Sequence, residues 1–200
     1  NTVELRGWPS ECIPGPASLS YFGHEIDLSG GETVLFKRLR SSTQRNIRKA
    51  EREKLAITID SSLSSTREFF RLNCITRRLH GLPPQPWHFF DNLYQHTLKP
   101  GLGIIISAIH NGTTIAAGLF LHQKTHAVYK YGASDRRSQS LRANNLIMWE
   151  AIRWYQSRGY TDLALGRTAG SNEGLRQFKN GWGGREYTIN YYRYECRSKK

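Results

Sequence analysis

The chain has 200 residues, 38% hydrophobic and 12% aromatic, with 29 Lys and Arg against 16 Asp and Glu for a net charge of +13. That length and apolar content suffice to bury a core in one domain, which excludes an intrinsically disordered protein, and no apolar run approaches the roughly 20 residues that span a bilayer. The basic balance favours an anionic partner such as RNA, a nucleotide-linked precursor or a phospholipid surface.

Residues 1–30 are rich in Gly, Pro and Ser and show little periodicity, as expected of an N-terminal extension or linker from a preceding domain. The start, NTVELRGWPS, lacks the charged and apolar regions of a signal peptide, and Asn1 is not a methionine, which fits a piece of a longer chain carrying a second domain. From Glu32 the pattern turns helical with Val34, Leu35 and Leu39, and SSTQRNIRKAEREK offers Ser and Thr caps before a second helix. STREFFRLNCITRRLHG spaces Phe69, Leu72, Ile75 or Thr76, and Leu79 as a third helix, closed by Gly81 and the prolines of LPPQP. A fourth begins near Pro86, with Trp87, Phe90, Leu93 and Leu98 on one side.

After Pro100 the period changes from helix to strand. GLGIIISAIHNGTTIAAGLFLH is two strand-like runs around Asn111-Gly112, a strong hairpin signal. AVYKYGAS is a third strand, LRANNLIMWEAIRWYQSRGY a helix stopped by Gly159, and TDLALG a further strand. A short helix capped by Asn172 and a last strand, REYTINYYRYEC, end the chain, so residues 31–197 read as a single domain. The fold class is mixed α/β, an otherwise antiparallel sheet in which AVYKYGAS and TDLALG form a parallel pair joined by a crossover helix, with a cleft at the strand ends.

Phe178 at helical spacing faces the core, which turns its neighbour Lys179 toward a different face near the Gly181–Gly184 turn. A lysine there can look into a cleft and bind a phosphate or carboxylate, or stabilise the oxyanion formed when an amine attacks an ester or thioester. In YKYGASD, Gly132 leaves room for close approach of a ligand, and Tyr129 and Tyr131 share one strand face with Lys130 opposite. The Tyr131 phenol, both donor and acceptor, suits a proton donor or a hydrogen bond to substrate. Behind this strand, SDRRSQSLRANN leads into a helix start that is a natural anion site beside Arg136, Arg137 and Arg142. Arg45, Arg48, Lys49 and Arg52 stack on one helix face, an anion-binding stripe or a solvated face relieved by Glu51 and Glu53. Arg77, Arg78 and His80 stand where they can line an acceptor groove.

His122 and His126 flank a hairpin turn with neither carboxylate nor cysteine beside them, and the cysteines Cys12, Cys74 and Cys196 lie far apart without a CxxC pair. No metal site and no disulfide framework is therefore expected, and a reducing compartment, the cytoplasm, fits best.

The strings RNIRKAE (45–51), TRRLHGLPPQP (76–86), YKYGASD (129–135), NNLIMWEAIRW (144–154), GR (166–167) and NEGLRQFKNGWG (172–183) occur in one order across residues 32–195. As a set they resemble the FemAB-like branch of the GNAT acyltransferase superfamily. The resemblance implies a GNAT fold whose splayed parallel strands admit an acyl donor. It implies transfer of an aminoacyl or other acyl group from aminoacyl-tRNA or acyl-CoA to an amine of a cell-wall or exopolysaccharide precursor, with no tightly bound cofactor. It also implies a catalytic Lys179, and puts Tyr129, Arg142, Asn144, Asn145, Arg167 and Trp182 among the substrate-binding residues. Full members carry two such domains in tandem. The glycine-containing pyrophosphate loop of acetyl-CoA-dependent GNAT enzymes is absent, with Ser and Arg in its place, which keeps aminoacyl-tRNA or another carrier in play beside CoA. The readings from other classes are a non-catalytic module for RNA or anionic glycans, drawing on 10 Tyr, 8 Phe and 5 Trp, and an inactive GNAT-like half supporting a partner domain.

Overall fold

Ile104, Ile105 and Ile106 are all buried, so their strand is covered on both faces, as an unbroken apolar run requires. This strand, β4 (Gly103–His110), turns through Asn111-Gly112 into β5 (Thr113–Gln123); both turn residues have positive φ, 48° and 74°, as a two-residue hairpin turn demands. The computed structural model describes residues 2–7, 13 and 15–195, and Cys12 and Cys196 lie outside these. Around the hairpin an eight-stranded sheet runs in the order β1-β8-β2-β7-β6-β5-β4-β3. The other strands are β1 (Thr2–Arg6), β2 (Leu19–Asp27), β3 (Ala56–Asp60), β6 (His126–Ser134), β7 (Asp162–Ala169) and β8 (Arg185–Glu195).

Helices lie on both faces. On one, α1 (Glu32–Arg38), α2 (Ser41–Arg52) and α5 (Ala143–Gln156) join Ile104, Ile106, Phe120 and Leu163 in the larger core, where α6 (Glu173–Asn180) also packs through Phe178. On the other, α3 (Leu63–Leu79) and α4 (Trp87–Leu93), the latter continued by a π-helical stretch over Tyr94–Leu98, pack Phe69, Leu72, Phe90 and Leu98 on Ile105 and Leu119. We call these the α5 face and the α3 face.

All neighbours pair antiparallel except β6 and β7, which α5 joins as the expected crossover. That pairing stops at Val128 opposite Ala164. Each strand then carries a bulge: in β6 Lys130 is the extra residue between Tyr129 opposite Phe120 and Tyr131 opposite Leu119, and in β7 Leu165 and Gly166 together oppose His24. Bulges bend and twist strands, and two of them just past the last pair turn β6 and β7 apart.

The stretch read as an extension supplies β1 and β2, and β2 is seated between β7 and β8. Its pattern, LSYFGHEID, mixes polar residues and a glycine because one face meets α6 while the other carries Tyr21 and Glu25. The short edge strand β3 was not anticipated either. The start of α2 also departs from expectation: its N-cap is Arg40, and Ser41, Ser42 and Thr43 lie inside the first turn.

Candidate active site

Beyond Val128 and Ala164 the two strands enclose a cleft of about 450 Å³ lined by Tyr129, Tyr131, Gly132, Gly166, Arg167 and Lys179, among others. Lys179 reaches it from α6, whose first turn is closed by the Asn172 side chain accepting from Leu175 N at 3.1 Å. Lys179 is only 4% exposed, and its Nζ donates to the carbonyls of Gly166 (3.0 Å), within the β7 bulge, and Arg167 (3.1 Å), the first residue beyond it. Burial lowers its pKa to about 8, so the ammonium form still dominates at neutral pH. An ammonium has three N–H donors; two are used, and one is left for a ligand in the cleft.

The bulge corrects the placing of the two tyrosines on one face. With Lys130 as an extra residue, Tyr129 packs on Phe120 on the α5 face while Tyr131 packs on Phe89 and Phe90 on the α3 face. The room left by Gly132 is taken by this same chain: a Cβ there would fall on the Tyr129 hydroxyl. Burial pushes the Tyr129 phenol up to about 12 and also raises that of Tyr131, where the nearby Arg77 guanidinium opposes the shift. Both stay protonated at neutral pH. The cleft thus opens through the sheet, with Lys179 on the α5 face and Tyr131 on the α3 face.

A second cleft, also about 450 Å³, lies between the starts of α2 and α5 and the side of α6, and includes Arg142, Asn144 and Asn145 with Arg40, Thr43 and Asn46. It follows β6 from the first cleft: Tyr131 to Ser134 is roughly 10 Å at the strand rise of about 3.3 Å per residue. A smaller cleft of about 370 Å³ on the α3 side holds His80, Arg136 and Asn144. There Thr76 of α3 accepts from Ser134 N at 2.9 Å and so fixes the end of β6.

Other candidates are turned to different partners. Trp182 is 1% exposed, stacked edge-on against Phe178 in the core, and lines none of these clefts. Arg167 gives its carbonyl to Lys179, while its guanidinium stacks over Tyr21 and Tyr191 and donates to the Tyr191 hydroxyl. Arg77 donates to Pro83 O at 3.0 Å and Arg78 is exposed. Arg45, Arg48, Lys49 and Arg52 lie outside all three clefts; Arg48 rests on the Phe36 ring, and the described ion pairs include none of the four, so Glu51 and Glu53 do not relieve them by direct contact. His126 does have a carboxylate beside it, Asp162 at 2.6 Å, brought from 36 residues away by the parallel pairing.

Sequence reasoning passed over Arg40, read Thr43 as a cap and Asn46 only as part of RNIRKAE, and missed the support beneath α6. In that support Arg176 donates to both Glu186 oxygens (2.8 and 2.6 Å), Asn180 to one (3.2 Å), and the buried His24 stands 3.0 Å from Glu186. Only a basic residue at α6 position 176 and an acid in β8 hinted at it.

Residues 37–187 match the acetyltransferase (GNAT) domain family. The chain belongs to that family. No curated protein is similar enough to match. Among solved structures, FemX superposes on this GNAT domain with a TM-score of 0.72 at 13% identity, covering 84% of this chain and 61% of FemX. L-PGS from Bacillus licheniformis gives 0.62 at 13% identity, covering 96% of this chain and 62% of that one. An aminoglycoside acetyltransferase, meta-AAC0020 from an uncultured soil metagenomic sample, solved with sisomicin, gives 0.53 at 12% identity, covering 64% of this chain and 86% of that one. At these identities it is the superpositions that establish a shared fold. The chain spans about three fifths of the length of FemX and of L-PGS. No helix among the described residues is long and apolar enough to cross a membrane.

Proposed function

We propose that the chain transfers an acyl or aminoacyl group from a phosphate-bearing carrier, an acyl-CoA or an aminoacyl-tRNA, to an amino group, in the FemAB-like manner and with a cell-wall or exopolysaccharide precursor as acceptor. The observation that carries this reading is the Lys179 ammonium, buried at the splay, held by two carbonyls and left with one free donor. The carrier lies along β6, with its phosphates in the cleft at the start of α5 and its acyl carbon in the splay. The neutral amine enters from the α3 face, past Arg77 and Tyr131. Its nitrogen bonds to the acyl carbon, and Lys179 stabilises the oxyanion of the tetrahedral intermediate. The bond to the carrier oxygen or sulfur then breaks, and that atom leaves with the electron pair and takes up the proton the amine sheds. Tyr131, protonated at neutral pH, donates a hydrogen bond to the acceptor. The aminoglycoside acetyltransferase, whose fold is shared, is by its name in keeping with transfer of this kind. Both carriers are met in the cytoplasm, where the reading places the chain.

Mass spectrometry of the chain incubated with aminoacyl-tRNA or acyl-CoA pools and candidate amines tests this. The expected result is an acceptor that gains the acyl mass and loses that gain with Lys179→Ala. No mass gain with any donor, or transfer undiminished in the variant, overturns the reading.

A further inference from the structure

Helices begin best on Ser, Thr, Asp or Asn, whose side chains satisfy the free N–H groups, and their positive ends disfavour nearby cations. Two helices of this chain do the opposite. α2 has Arg40 at its N-cap and α5 has Arg142, the latter with φ 59°, and neither receives a side-chain cap. At α2 the N–H groups of Thr43 and Gln44 reach Arg40 O, and at α5 those of Asn145 and Leu146 reach Arg142 O. The preceding N–H groups, of Ser41 and Ser42 and of Ala143 and Asn144, meet no described carbonyl. The contrast is α6, which also borders the cleft and is capped by its own Asn172.

Both uncapped starts border the same cleft. Thr43 points there too: it is 6% exposed, lines the cleft, and lies so close over Gly181 that a Cβ on that glycine would sit 2.5 Å from the Thr43 hydroxyl. That hydroxyl has no hydrogen-bond partner among the described residues, and although the residue is almost wholly buried its hydroxyl is open to the cleft, where a ligand can supply one. Neither Arg40 nor Arg142 belongs to a described ion pair. The one carboxylate in the wall, Asp135, is taken up by Arg137, which donates to it from its backbone N–H, Nε and Nη2.

We propose that the start of α2, with Arg40 and the Thr43 hydroxyl, is a second phosphate subsite facing the one at the start of α5, so that the cleft holds a diphosphate between two helix N-termini. This stands in for the missing glycine loop. The arginines at the two helix starts, unfavourable in the empty protein, become favourable once a dianion lies between them, and the Thr43 hydroxyl gains an acceptor to which it can donate. The inference deepens the donor half of the proposed function and rests on it only for which molecule brings the phosphates.

Titration of the chain with inorganic pyrophosphate at low salt, followed by the amide signals of Ser41, Ser42, Ala143 and Asn144, tests the site without any transfer reaction. All four signals are expected to move together, with pyrophosphate binding about tenfold more tightly than orthophosphate. Thr43→Val and Arg40→Gln are each expected to remove about that factor, while the Thr43→Val chain unfolds at the same urea concentration as the parent or higher. Shifts confined to Ala143 and Asn144, equal affinity for the two anions, or unchanged binding in both variants overturns the proposal. Competition names the source: displacement of pyrophosphate by CoA or by a CCA-ended hairpin RNA supports the site, and displacement by neither overturns it as a donor site. Loss of transfer in a Lys179 variant with pyrophosphate binding intact separates this site from the chemistry at the splay.

Discussion

Arg176 and Lys179 sit one turn apart on α6, Arg176 reaching β2 and β8 and Lys179 reaching β7, and they are treated in opposite ways. Arg176 lies over the Phe22 ring at 3.6 Å and grips Glu186 with two charge-assisted hydrogen bonds, and Glu186 in turn stands against His24. Lys179, more deeply buried, has carbonyls alone for partners. A cation whose work is to hold α6 down is given a carboxylate. A cation left for a ligand keeps a free donor, and the fold bears the cost of its burial.

Removing the unpaired cation has the largest effect. Lys179→Met is expected to lower transfer by about 10²–10³-fold, the loss that follows removal of one oxyanion donor. The same change is expected to stabilise the empty protein. The pKa of Lys179 falls from 10.5 to about 8 on folding, so the unfolded chain binds more protons between those values. This group's contribution to stability is therefore lowest below pH 8, rises with pH through that window and levels off above pH 10.5. At pH 7 the penalty is up to about 3 kcal/mol before screening by solvent at the cleft mouth. Urea unfolding at pH 7 should show the variant about 1–2 kcal/mol more stable, with the gap closing by pH 10. A variant that is both less active and less stable would mean that Lys179 serves structure, as Arg176 does. With Lys179 acting as an ammonium ion, transfer by the parent chain falls as pH rises above 8.

The two tyrosines sharpen the contrast between the faces of the splay. Gly132→Ala puts a methyl group on the Tyr129 hydroxyl and is expected to cost about 2 kcal/mol, read by urea unfolding, with Tyr129→Phe giving part of it back. Tyr131→Phe leaves the fold intact and is expected to reduce kcat/KM for the acceptor amine by about tenfold, with little change for the donor. The reverse pattern, a donor effect from Tyr131, would place the amine on the α5 face.

Local signals carried the hairpin at Asn111-Gly112 and the Asn172 cap, because each is decided within a few residues, and the change of period from strand to helix to strand carried the crossover through α5. What the sequence hid is decided at a distance. β2 reads as a linker because the strand that completes it, β8, comes more than 150 residues later, pairing Leu19 with Tyr191. The bulge at Lys130 leaves no mark in YKYGASD, yet it moves Tyr131 to the other face. The resemblance put Trp182 among the substrate-binding residues, and only the packing against Phe178 shows it turned into the core. Ser41, Ser42 and Thr43 read as caps of α2, and only the folded chain shows the helix starting on Arg40 with all three inside its first turn.

The smallest expected effect tests the paired cation. Glu186→Gln removes the charge that Arg176 and Asn180 hold while keeping the shape, so α6 stays in place but is less firmly tied to β8. Hydrogen bonds from Arg176 lower the Glu186 carboxyl from 4.5 to about 2. Its contribution to stability is accordingly present above its ordinary pKa and is lost as pH falls from 4.5 through about 2. The parent chain should therefore lose stability across that acid window, and the Glu186→Gln chain should show a weaker dependence there together with a modestly lower Tm at pH 7. Transfer should change less than in any Lys179 variant, because the Gly166 and Arg167 carbonyls still hold the ammonium. A fall as deep as that of Lys179→Met would show that the two cations of α6 act as one unit, with the carboxylate beneath Arg176 setting the position of the lysine one turn away.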